Sequence, residues 1–337
     1  MKKEDISILI VGLGSVGQRH LKNLHALGIR NISAVSRNTS LLNDDSFPDF
    51  KLMSDLGEAL AGKPAAVVIS NQTHLHMETA LQSAKAGCHL FLEKPVTHSF
   101  EGMDELMEIV TAGKLIVQVG FQFRFHPVLR SIRNAIAQGE IGEIASVHAH
   151  WGEYLPGWHP WEDYRQSYSA RSDMGGGVLL TLCHPFDYLR WLIGEITDVS
   201  AHTGTLSGLE LDTEDTAIVT LKFTSGALGC VYVDYIERPP RHDITIIGQK
   251  GKIIWDNNDG SAKIFTPEST TVRDIPAPED FERNDLFIGE ISHFIQCLTE
   301  DQTPDCNLED GLRALNIVLA SKKSSASGET IKLNMDY

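Results

Sequence analysis

The sequence predicts an α/β protein of two domains: a doubly wound domain with a parallel sheet over residues 1–122, and an α+β domain with a large open, mostly antiparallel sheet over residues 123–337. Up to about residue 120, short apolar runs alternate with helical patterns. After about residue 140, strand-like runs follow one another across short turns. A chain of 337 residues with 42% hydrophobic side chains can bury two cores of ordinary size.

The first domain begins with the run ISILIVG, which predicts a buried strand. Further strand-like runs are NISAVS, AAVVISN, CHLFLEK and LIVQVGF. Segments such as SVGQRHLKNLHALG, whose apolar residues fall near helical spacing, separate them. Strands that alternate with helices in this way are typical of parallel βαβ units.

The second domain has a different rhythm. Its strand-like runs are IASVHAHWGEY, ITDVSAHTGTL, DTAIVTLKF, GALGCVYVDYI, HDITIIG and GKIIWD. Glycine, asparagine and aspartate punctuate them, which favours an antiparallel sheet with short turns. Helical patterns at about 281–298 and 308–322 follow the sheet.

Composition excludes several classes of partner. The 29 Lys and Arg residues against 45 Asp and Glu give a net charge of −16 without a basic block, so neither a nucleic acid nor an anionic membrane is an expected partner. The five cysteines show no metal-site spacing, which predicts reduced thiols in a cytoplasmic protein without a metal site. Neither a signal peptide nor a membrane span is expected.

A glycine motif, VGLGSVG, comes directly after the first predicted strand and opens the first predicted helix. Gly12 suits the turn, Gly14 allows close approach of a pyrophosphate, and Gly17 allows the helix to pack closely on the strand. Ser15 and Val16 lie where the helix N-terminus offers N–H groups to phosphates. This context predicts a Rossmann domain that binds a dinucleotide.

The cofactor preference depends on the end of the second strand. An NAD-binding fold usually has a carboxylate there for the ribose 2′-hydroxyl, but this chain has Ser36, Arg37 and Asn38. A guanidinium would accept a 2′-phosphate, so NADP(H) is favoured. NAD(H) remains possible if Arg37 is a solvated side chain.

The fourth strand-like run of this domain ends in Glu93, Lys94 and Pro95, at the carboxyl edge of the sheet where ligands bind in such folds. A lysine there can stabilise negative charge on a substrate oxygen. Taken alone, a lysine before a proline is also typical of a surface loop.

Six segments occur together in one order: GLGSVG, NQTHLH, EKP, GFQFRFHP, GEIGEI and GGGVLL…HPFDYLRWL. As a set they resemble the Gfo/Idh/MocA family of NAD(P)-dependent oxidoreductases, named for glucose-fructose oxidoreductase and inositol dehydrogenase. The resemblance implies hydride transfer between a nicotinamide and a sugar or polyol carbon. It also implies a homodimer or homotetramer through the C-terminal sheet. The stretch from WHPWEDYR onward is similar to members that act in bacterial surface-carbohydrate biosynthesis.

The resemblance also implies roles for single residues. Lys94 would lie near the reacting hydroxyl and the nicotinamide ribose. Arg124 would lie beside the active site and contact substrate. The residues implied for cofactor binding, besides the glycine loop and Ser36–Asn38, are Asn71, Gln72, His76, Glu93, Lys94 and Gln122.

The segment GGGVLLTLCHPFDYLRWLIG, residues 175–194, carries the implied catalytic base, His184. The family usually has an aspartate four residues before this histidine, whereas this chain has Leu180 and then Thr181. On a continuous helix, Thr181, His184 and Asp187 would share a face, with Asp187 orienting the imidazole or binding a substrate hydroxyl. Pro185 predicts a helix start near residue 182 or a kink. The alternative is a buried His–Asp contact without a catalytic role.

An aromatic segment, residues 150–171, precedes the glycine cluster. Its rings suit stacking on a sugar, and its arginines suit a carboxylate or phosphate, which favours a sugar acid or nucleotide sugar. Packing between domains or copies is the alternative. The substrate-binding residues predicted here are Tyr154, Trp158, Trp161, Arg165 and Arg171, in addition to Lys94, Arg124 and His184.

Together these features predict an NAD(P)-dependent dehydrogenase or reductase acting on CH–OH groups, with Lys94, His184, Asp187 and Thr181 as the catalytic set. Two alternatives remain open. One is an enone or imine reductase of the biliverdin-reductase type, and the other is a nucleotide-sensing regulatory protein without catalysis.

Overall fold

The computed structural model describes residues 2–36, 49–267 and 272–334. Contacts divide the chain into two compact units. The first unit is Met1–Gln122 with Glu282–Gly311, and the second is Phe123–Phe281 with Leu312–Tyr337. Segment 282–311 differs from the sequence expectation, which assigns it to the second domain.

The strands in the described residues are β1 (Ser7–Val11), β2 (Asn31–Val35), β3 (Lys51–Met53), β4 (Ala66–Ile69), β5 (His89–Leu92), β6 (Val117–Val119), β7 (Ile144–Gly152), β8 (Ile196–Gly204), β9 (Thr216–Phe223), β10 (Leu228–Asp234), β11 (Arg241–Gly248), β12 (Gly251–Asp256), β13 (Ser261–Phe265), β14 (Arg273–Ile275) and β15 (Ile331–Lys332).

The α-helices in the same ranges are α1 (Ser15–Ala26), α2 (Leu56–Ala61), α3 (His76–Lys85), α4 (Met103–Gly113), α5 (Pro127–Ala137), α6 (Val178–Thr181), α7 (His184–Ile193), α8 (Arg283–Glu300) and α9 (Leu308–Ser327). None of the described helices is long and apolar enough to cross a bilayer.

The sheet of the first unit is parallel, with the order β3-β2-β1-β4-β5-β6 among the described strands. In β1, four consecutive residues after Ser7 are buried, as expected for a strand covered on both faces. The direction of chain progression reverses between β1 and β4, where Leu9 pairs with Val67. In doubly wound sheets this reversal opens a ligand-binding crevice at the carboxyl edge.

Helix α8 belongs to the first unit because its apolar face completes that unit's core. Ile291, Phe294 and Ile295 pack in one buried cluster with residues of β1 and β5, including Ile8 and Phe91. The pattern of α8 predicts a helix correctly, but it does not indicate which core the helix joins.

The second unit has a sheet of nine described strands in the order β14-β13-β12-β11-β7-β10-β9-β8-β15. Neighbours are antiparallel except β7 and β10, which are parallel. In β9, Ala217, Val219 and Leu221 are buried while Ile218 and Thr220 are exposed, so one face of the sheet is open. The predicted large, mostly antiparallel sheet is confirmed.

Four strands were not predicted from the sequence: β3, β13, β14 and β15. Three of them, β3, β14 and β15, have three residues or fewer, too short for an alternating pattern to emerge. The fourth, β13, has five residues with Ala262 and Ile264 buried, and its short alternation was overlooked. The two late helices lie close to their predicted positions.

Candidate cofactor and catalytic sites

The glycine loop is built by close backbone contacts in the first unit. A Cβ atom at Gly12, whose φ is +93°, would lie 2.6 Å from backbone atoms of Asn71. A Cβ atom at Gly17 would lie 1.9 Å from the carbonyl oxygen of Gly12. The loop between β1 and α1 therefore requires glycine at both positions.

Gly14 differs from these two glycines. A Cβ atom there would meet nothing within 4 Å, so its backbone borders open space. Gly14 is also the N-cap of α1, and no side chain caps the helix. The first-turn N–H groups, which follow from Ser15 and Val16 onward, therefore suit the phosphates of a dinucleotide.

The loop after β4 lies against Gly12 and offers a polar atom. The Nδ2 of Asn71 donates to Oγ1 of Thr79 at 2.9 Å. Its buried Oδ1 has no hydrogen-bond partner among the described residues. An orphaned acceptor beside the glycine loop fits a donor from a bound cofactor, because buried polar atoms are otherwise paired. Gln72, the next residue, is exposed.

His76 connects this loop with the loop after β5. Its Nδ1 lies 2.9 Å from the carbonyl oxygen of Pro95, and its Nε2 lies 3.0 Å from that of Asn71. Burial lowers the pKa of His76, so the ring is neutral and donates to one of the two carbonyls. The ring is 2% exposed and packs between the two backbone segments, with a hydrogen bond to one of them, which makes it a support for the implied cofactor site.

At the end of β5, Glu93 and Lys94 face different surroundings. Lys94 is half-buried, whereas Glu93 is buried and its Oε1 lies 2.7 Å from Nε2 of His20 on α1. His20 was missed by the sequence analysis. The signal was a histidine on the apolar face of α1, three residues after Gly17. Gln122, which ends the first unit, is also buried.

The predicted 2′-phosphate site lies mostly outside the described residues. Ser36 follows β2 directly. Arg37 and Asn38 fall in the range that the structure does not describe.

In the second unit, the glycine cluster allows close contacts before α6. A Cβ atom at Gly176 would lie 2.3 Å from the carbonyl oxygen of Tyr168. Gly177 has a φ of +104°, and a Cβ atom there would lie 2.4 Å from the carboxylate of Glu214. These glycines thus serve packing.

The segment after the glycines forms two helices, not one. Helix α6 ends at Thr181, Leu182 has a non-helical ψ of 41°, and α7 begins at His184 with Pro185 in its first turn. The predicted break is therefore present. Thr181 and His184 do not lie on one continuous helix face, because Pro185 cannot donate the helical hydrogen bond that would join the segments. Thr181 is buried and interacts with Tyr235.

His184 lies in an aromatic pocket of the second unit and is 2% exposed. Trp151 stacks on the ring at 5.3 Å between centroids, and Phe123 meets it edge-on at 5.1 Å. Trp151 also stacks on His242, at 4.1 Å between centroids. His242 carried no sequence signal beyond its place in a strand.

Asp187 forms a buried ion pair with Arg124. The guanidinium donates to both carboxylate oxygens, with an Nη2–Oδ1 distance of 2.6 Å and an Nε–Oδ2 distance of 3.0 Å. Both side chains are at most 3% exposed. Arg124 was predicted to contact substrate, which stays a prediction, and in the structure its guanidinium makes a bidentate pair with a residue of the first turn of α7.

The aromatic segment has a buried part and an exposed part. Trp158 packs edge-on against Tyr235 at 5.6 Å, and its buried indole N–H has no acceptor among the described residues. The guanidinium of Arg238 lies 4.0 Å from the ring centre of Tyr154. Trp161 is 76% exposed.

The two arginines predicted to bind an anion already face carboxylates. The Arg165 guanidinium lies 2.8 Å from Asp163 and 3.3 Å from Glu210, and that of Arg171 lies 2.6 Å from Asp173. An anionic substrate would have to compete with these pairs.

Comparison with known proteins adds to this geometry. The family model for an oxidoreductase NAD-binding Rossmann fold matches residues 6–121, and the model for the C-terminal alpha/beta domain of the same family matches residues 133–333. The chain belongs to the Gfo/Idh/MocA oxidoreductase family. The resemblance inferred from the six motifs is confirmed, and so are the fold class and the oxidoreductase class with a nicotinamide cofactor.

Relatives cover nearly the whole length of this oxidoreductase. It is 28% identical to myo-inositol 2-dehydrogenase of Thermotoga maritima, over 96% of this chain and 97% of that protein. Levoglucosan dehydrogenase in complex with NADH and levoglucosan superposes with a TM-score of 0.87 at 20% identity, covering 97% of this chain and 99% of the other. The WlbA dehydrogenase from Bordetella pertussis, in complex with NADH and UDP-GlcNAcA, has a TM-score of 0.82 at 24% identity, with 98% and 99% covered.

Proposed function

We propose that this chain transfers a hydride between a nicotinamide dinucleotide and a hydroxyl or keto carbon of a sugar, polyol, sugar acid or nucleotide sugar. The observation that supports this most is the glycine loop. Its first and third glycines are packed, while Gly14 and the uncapped start of α1 border open space at the switch point of the sheet. The related inositol dehydrogenase extends the proposal from cofactor to substrate class.

The bound nicotinamide would accept or supply the hydride. The residues proposed to hold the cofactor are the N–H groups at the start of α1 for the phosphates and Asn71, whose Oδ1 can accept a hydrogen bond. His76 packs between the Asn71 and Pro95 backbones and donates to one of their carbonyl oxygens.

For the substrate we propose separate tasks for Lys94 and His184. Lys94 donates to the reacting oxygen and stabilises its developing negative charge. His184 takes the hydroxyl proton during oxidation and returns it during reduction. The stack with Trp151 fixes the plane of the imidazole, and the Arg124–Asp187 pair fixes the first turn of α7 that carries it.

The preference for NADP(H) over NAD(H) remains part of the proposal and rests on Ser36, Arg37 and Asn38 at the end of β2. Calorimetric titration of the purified protein with NADP⁺ and NAD⁺ tests it. Tighter binding of NADP⁺, lost in Arg37→Ala, is expected. Equal or tighter binding of NAD⁺ would reject the role of Arg37.

Turnover is tested with polyols, neutral sugars, sugar acids and nucleotide sugars, with NAD⁺ or NADP⁺, by the absorbance of the reduced nicotinamide. Lys94→Met is expected to lower kcat by about 10²–10⁴-fold without changing the melting temperature. Lys85→Met, which removes an exposed ion pair with Glu105, is the control.

Absence of turnover with every substrate, despite tight dinucleotide binding, would favour the regulatory alternative. If the protein reduces an enone or imine and Lys94→Met keeps this activity, the alternative of an enone or imine reductase would be favoured.

We also propose that the open face of the second unit's sheet forms the contact of a homo-oligomer. Ile218 and Leu228 on this face are 45% and 59% exposed, and Ile247 is 39% exposed. Isolated monomers seldom leave such a patch uncovered. Analytical ultracentrifugation of the wild type and of Leu228→Glu should give a dimer or tetramer for the first and a smaller species for the second.

A further inference from the structure

Three ionisable side chains meet inside the first unit, next to the backbone of the implied catalytic lysine, Lys94. They are His20 on α1, Glu93 at the end of β5 and Glu290 on α8. One nitrogen or oxygen atom from each lies within 4.8 Å of the others. His20 and Glu290 are 0% exposed and Glu93 is 7% exposed.

Aromatic rings pack against the His20 side of this cluster. The ring of His20 meets Phe91 edge-on at 4.9 Å and Phe287 at 6.3 Å, and Phe294 packs against Phe91 at 5.6 Å. Aromatic side chains do not solvate a charged group as water does. Two carboxylates ionised side by side would therefore be strongly unfavourable.

Glu93 has hydrogen-bond donors, whereas Glu290 has none within the part of the chain that the structure describes. Glu93 Oε1 faces Nε2 of His20 at 2.7 Å, and its Oε2 accepts from the Lys94 N–H at 3.3 Å. Neither carboxylate oxygen of Glu290 has a hydrogen-bond partner among the described residues. Gln118 reaches this part of α8 but donates to the Glu290 backbone carbonyl, at 2.8 Å.

Nε2 of His20 can donate to the Glu93 carboxylate, and the buried Nδ1 of the same ring has no hydrogen-bond partner among the described residues. The charged groups that face Glu290 are Glu93, Lys94 and Arg19, whose guanidinium lies 4.4 Å from the ring centre of Phe287. Burial lowers the pKa of Arg19, and the charge of Arg283 lowers it further. Burial, followed by the charge of Glu93, raises the pKa of Glu290 well above its usual range.

We propose that Glu290 is a neutral carboxylic acid at neutral pH and a positioning residue for Lys94, because its proton faces the Glu93 carboxylate. The gap of at most 4.8 Å is one that a rotation of the carboxyl group or one water molecule spans. Held between His20 and Glu290, the Glu93 carboxylate fixes the backbone N–H of Lys94. The protonation of Glu290 stands on the cluster alone, while its effect on turnover rests on the proposed function.

The protonation is tested without cofactor or substrate. Unfolding is followed from pH 5 to 8 for the wild type, Glu290→Gln and Glu300→Gln, which removes an exposed carboxylate at the end of the same helix. The folded pKa of Glu290 is raised, so its stabilising contribution is present at low pH and lost as pH rises. The free energy of unfolding of Glu290→Gln should therefore rise relative to that of the wild type as the pH is raised. The difference between Glu300→Gln and the wild type should stay constant over the same range. A constant difference between Glu290→Gln and the wild type would overturn the proposal.

A second measurement covers the case in which Glu290→Gln does not fold. Infrared spectra of wild-type protein with ¹³C-labelled glutamate should contain the band of a protonated glutamate carboxyl at pH 7. Its absence would overturn the proposal. A stoichiometric divalent metal in the purified wild-type protein, absent from Glu290→Gln, would also overturn it, since the cluster would then be a metal site.

The positioning role has its own readout. With a substrate that turns over, Glu290→Gln should keep most of kcat and extend activity to higher pH, because the amide cannot ionise. Glu290→Leu should lose about tenfold in kcat at an unchanged dinucleotide Kd. Equal losses in both variants, with an unchanged pH profile, would mean a structural role only. Failure of all substrates would count against the proposed function and leave the stability result standing.

Discussion

The glycine loop of the first unit and the histidine segment of the second treat their polar groups in opposite ways. At the loop, the start of α1 has no side-chain cap and Asn71 Oδ1 has no partner among the described residues. At the histidine segment, Asp187 is already paired with Arg124. The first region therefore leaves polar groups without partners among the described residues, whereas the second pairs the charges of Asp187 and Arg124 with each other.

The largest effect on this comparison is expected when the Arg124–Asp187 ion pair is removed. Asp187→Ala leaves the Arg124 guanidinium buried without its counter-charge, which should destabilise the second unit by about 3–5 kcal/mol. Chemical denaturation measures the loss. The double variant Arg124→Met, Asp187→Leu should recover part of it, and Asp173→Ala, at an exposed pair, should barely shift the melting temperature. A loss for Asp187→Ala as small as that for Asp173→Ala would contradict a scaffolding role.

The second prediction concerns His126, which caps α5 in the second unit through Nδ1 and the Val128 N–H. Burial lowers its pKa to about 4, below an unfolded value near 6.5, so its contribution to stability is present above pH 6.5 and lost as pH falls toward 4. The loss is about 3 kcal/mol. His126→Asn can still cap the helix but does not titrate in this range, so its stability should fall less over the window.

His148→Asn, at an exposed strand position, is the control for His126. Denaturation curves at pH 4.5, 5.5 and 6.5 compare the three proteins. Parallel pH dependence for all three would show that His126 takes up its proton as easily in the folded chain as in the unfolded one.

The third prediction separates two glycines of one loop. Gly17→Ala should destabilise the first unit by about 1–3 kcal/mol, since its Cβ would lie 1.9 Å from the Gly12 carbonyl oxygen. Gly14→Ala should change stability by no more than about 0.5 kcal/mol and weaken dinucleotide binding, because its methyl group enters the space beside the helix start. Thermal unfolding and calorimetric titration check the pair. Unchanged dinucleotide affinity in Gly14→Ala would contradict the proposed phosphate position.

The smallest effect on stability is expected at Trp161, which is 76% exposed. Trp161→Ala should leave the free energy of unfolding within about 0.5 kcal/mol of the wild type. If the ring stacks on a sugar, KM should rise about fivefold with kcat unchanged. An unchanged KM for every substrate would remove Trp161 from the proposed site.

The fold was largely predictable because most of its elements show a local pattern in the sequence. The buried run of β1, the glycines after it and the alternation in β9 each reflect a constraint that acts within a few residues. Three of the four missed strands, β3, β14 and β15, were too short to show a period, whereas β13 has a short alternation that was overlooked. The membership of α8 in the first core could not be predicted, since an apolar helix face does not specify its partner.

The part of the candidate site that the backbone of the glycine loop forms was predictable from the sequence. Gly12 and Gly17 needed only the motif and its context. The partner of Arg124 could not be predicted, because folding brings Asp187 close from a distant part of the sequence. Arg165 and Arg171 each pair with a carboxylate two positions away, but the sequence does not show that these pairs form. Glu290 did leave a signal: it is a lone acid in the apolar stretch LFIGEISHFI.

The return of segment 282–311 to the first unit has a consequence for the order of events on the ribosome. Residues 1–122 emerge early, but the core around Ile8 and Phe91 is completed only by Ile291 and Phe294, which are translated more than 160 residues later than Gln122. Until then the nascent first unit exposes the apolar surface that α8 later covers. A fragment ending at Gln122 should therefore aggregate, and adding residues 282–311 in trans should reduce that aggregation.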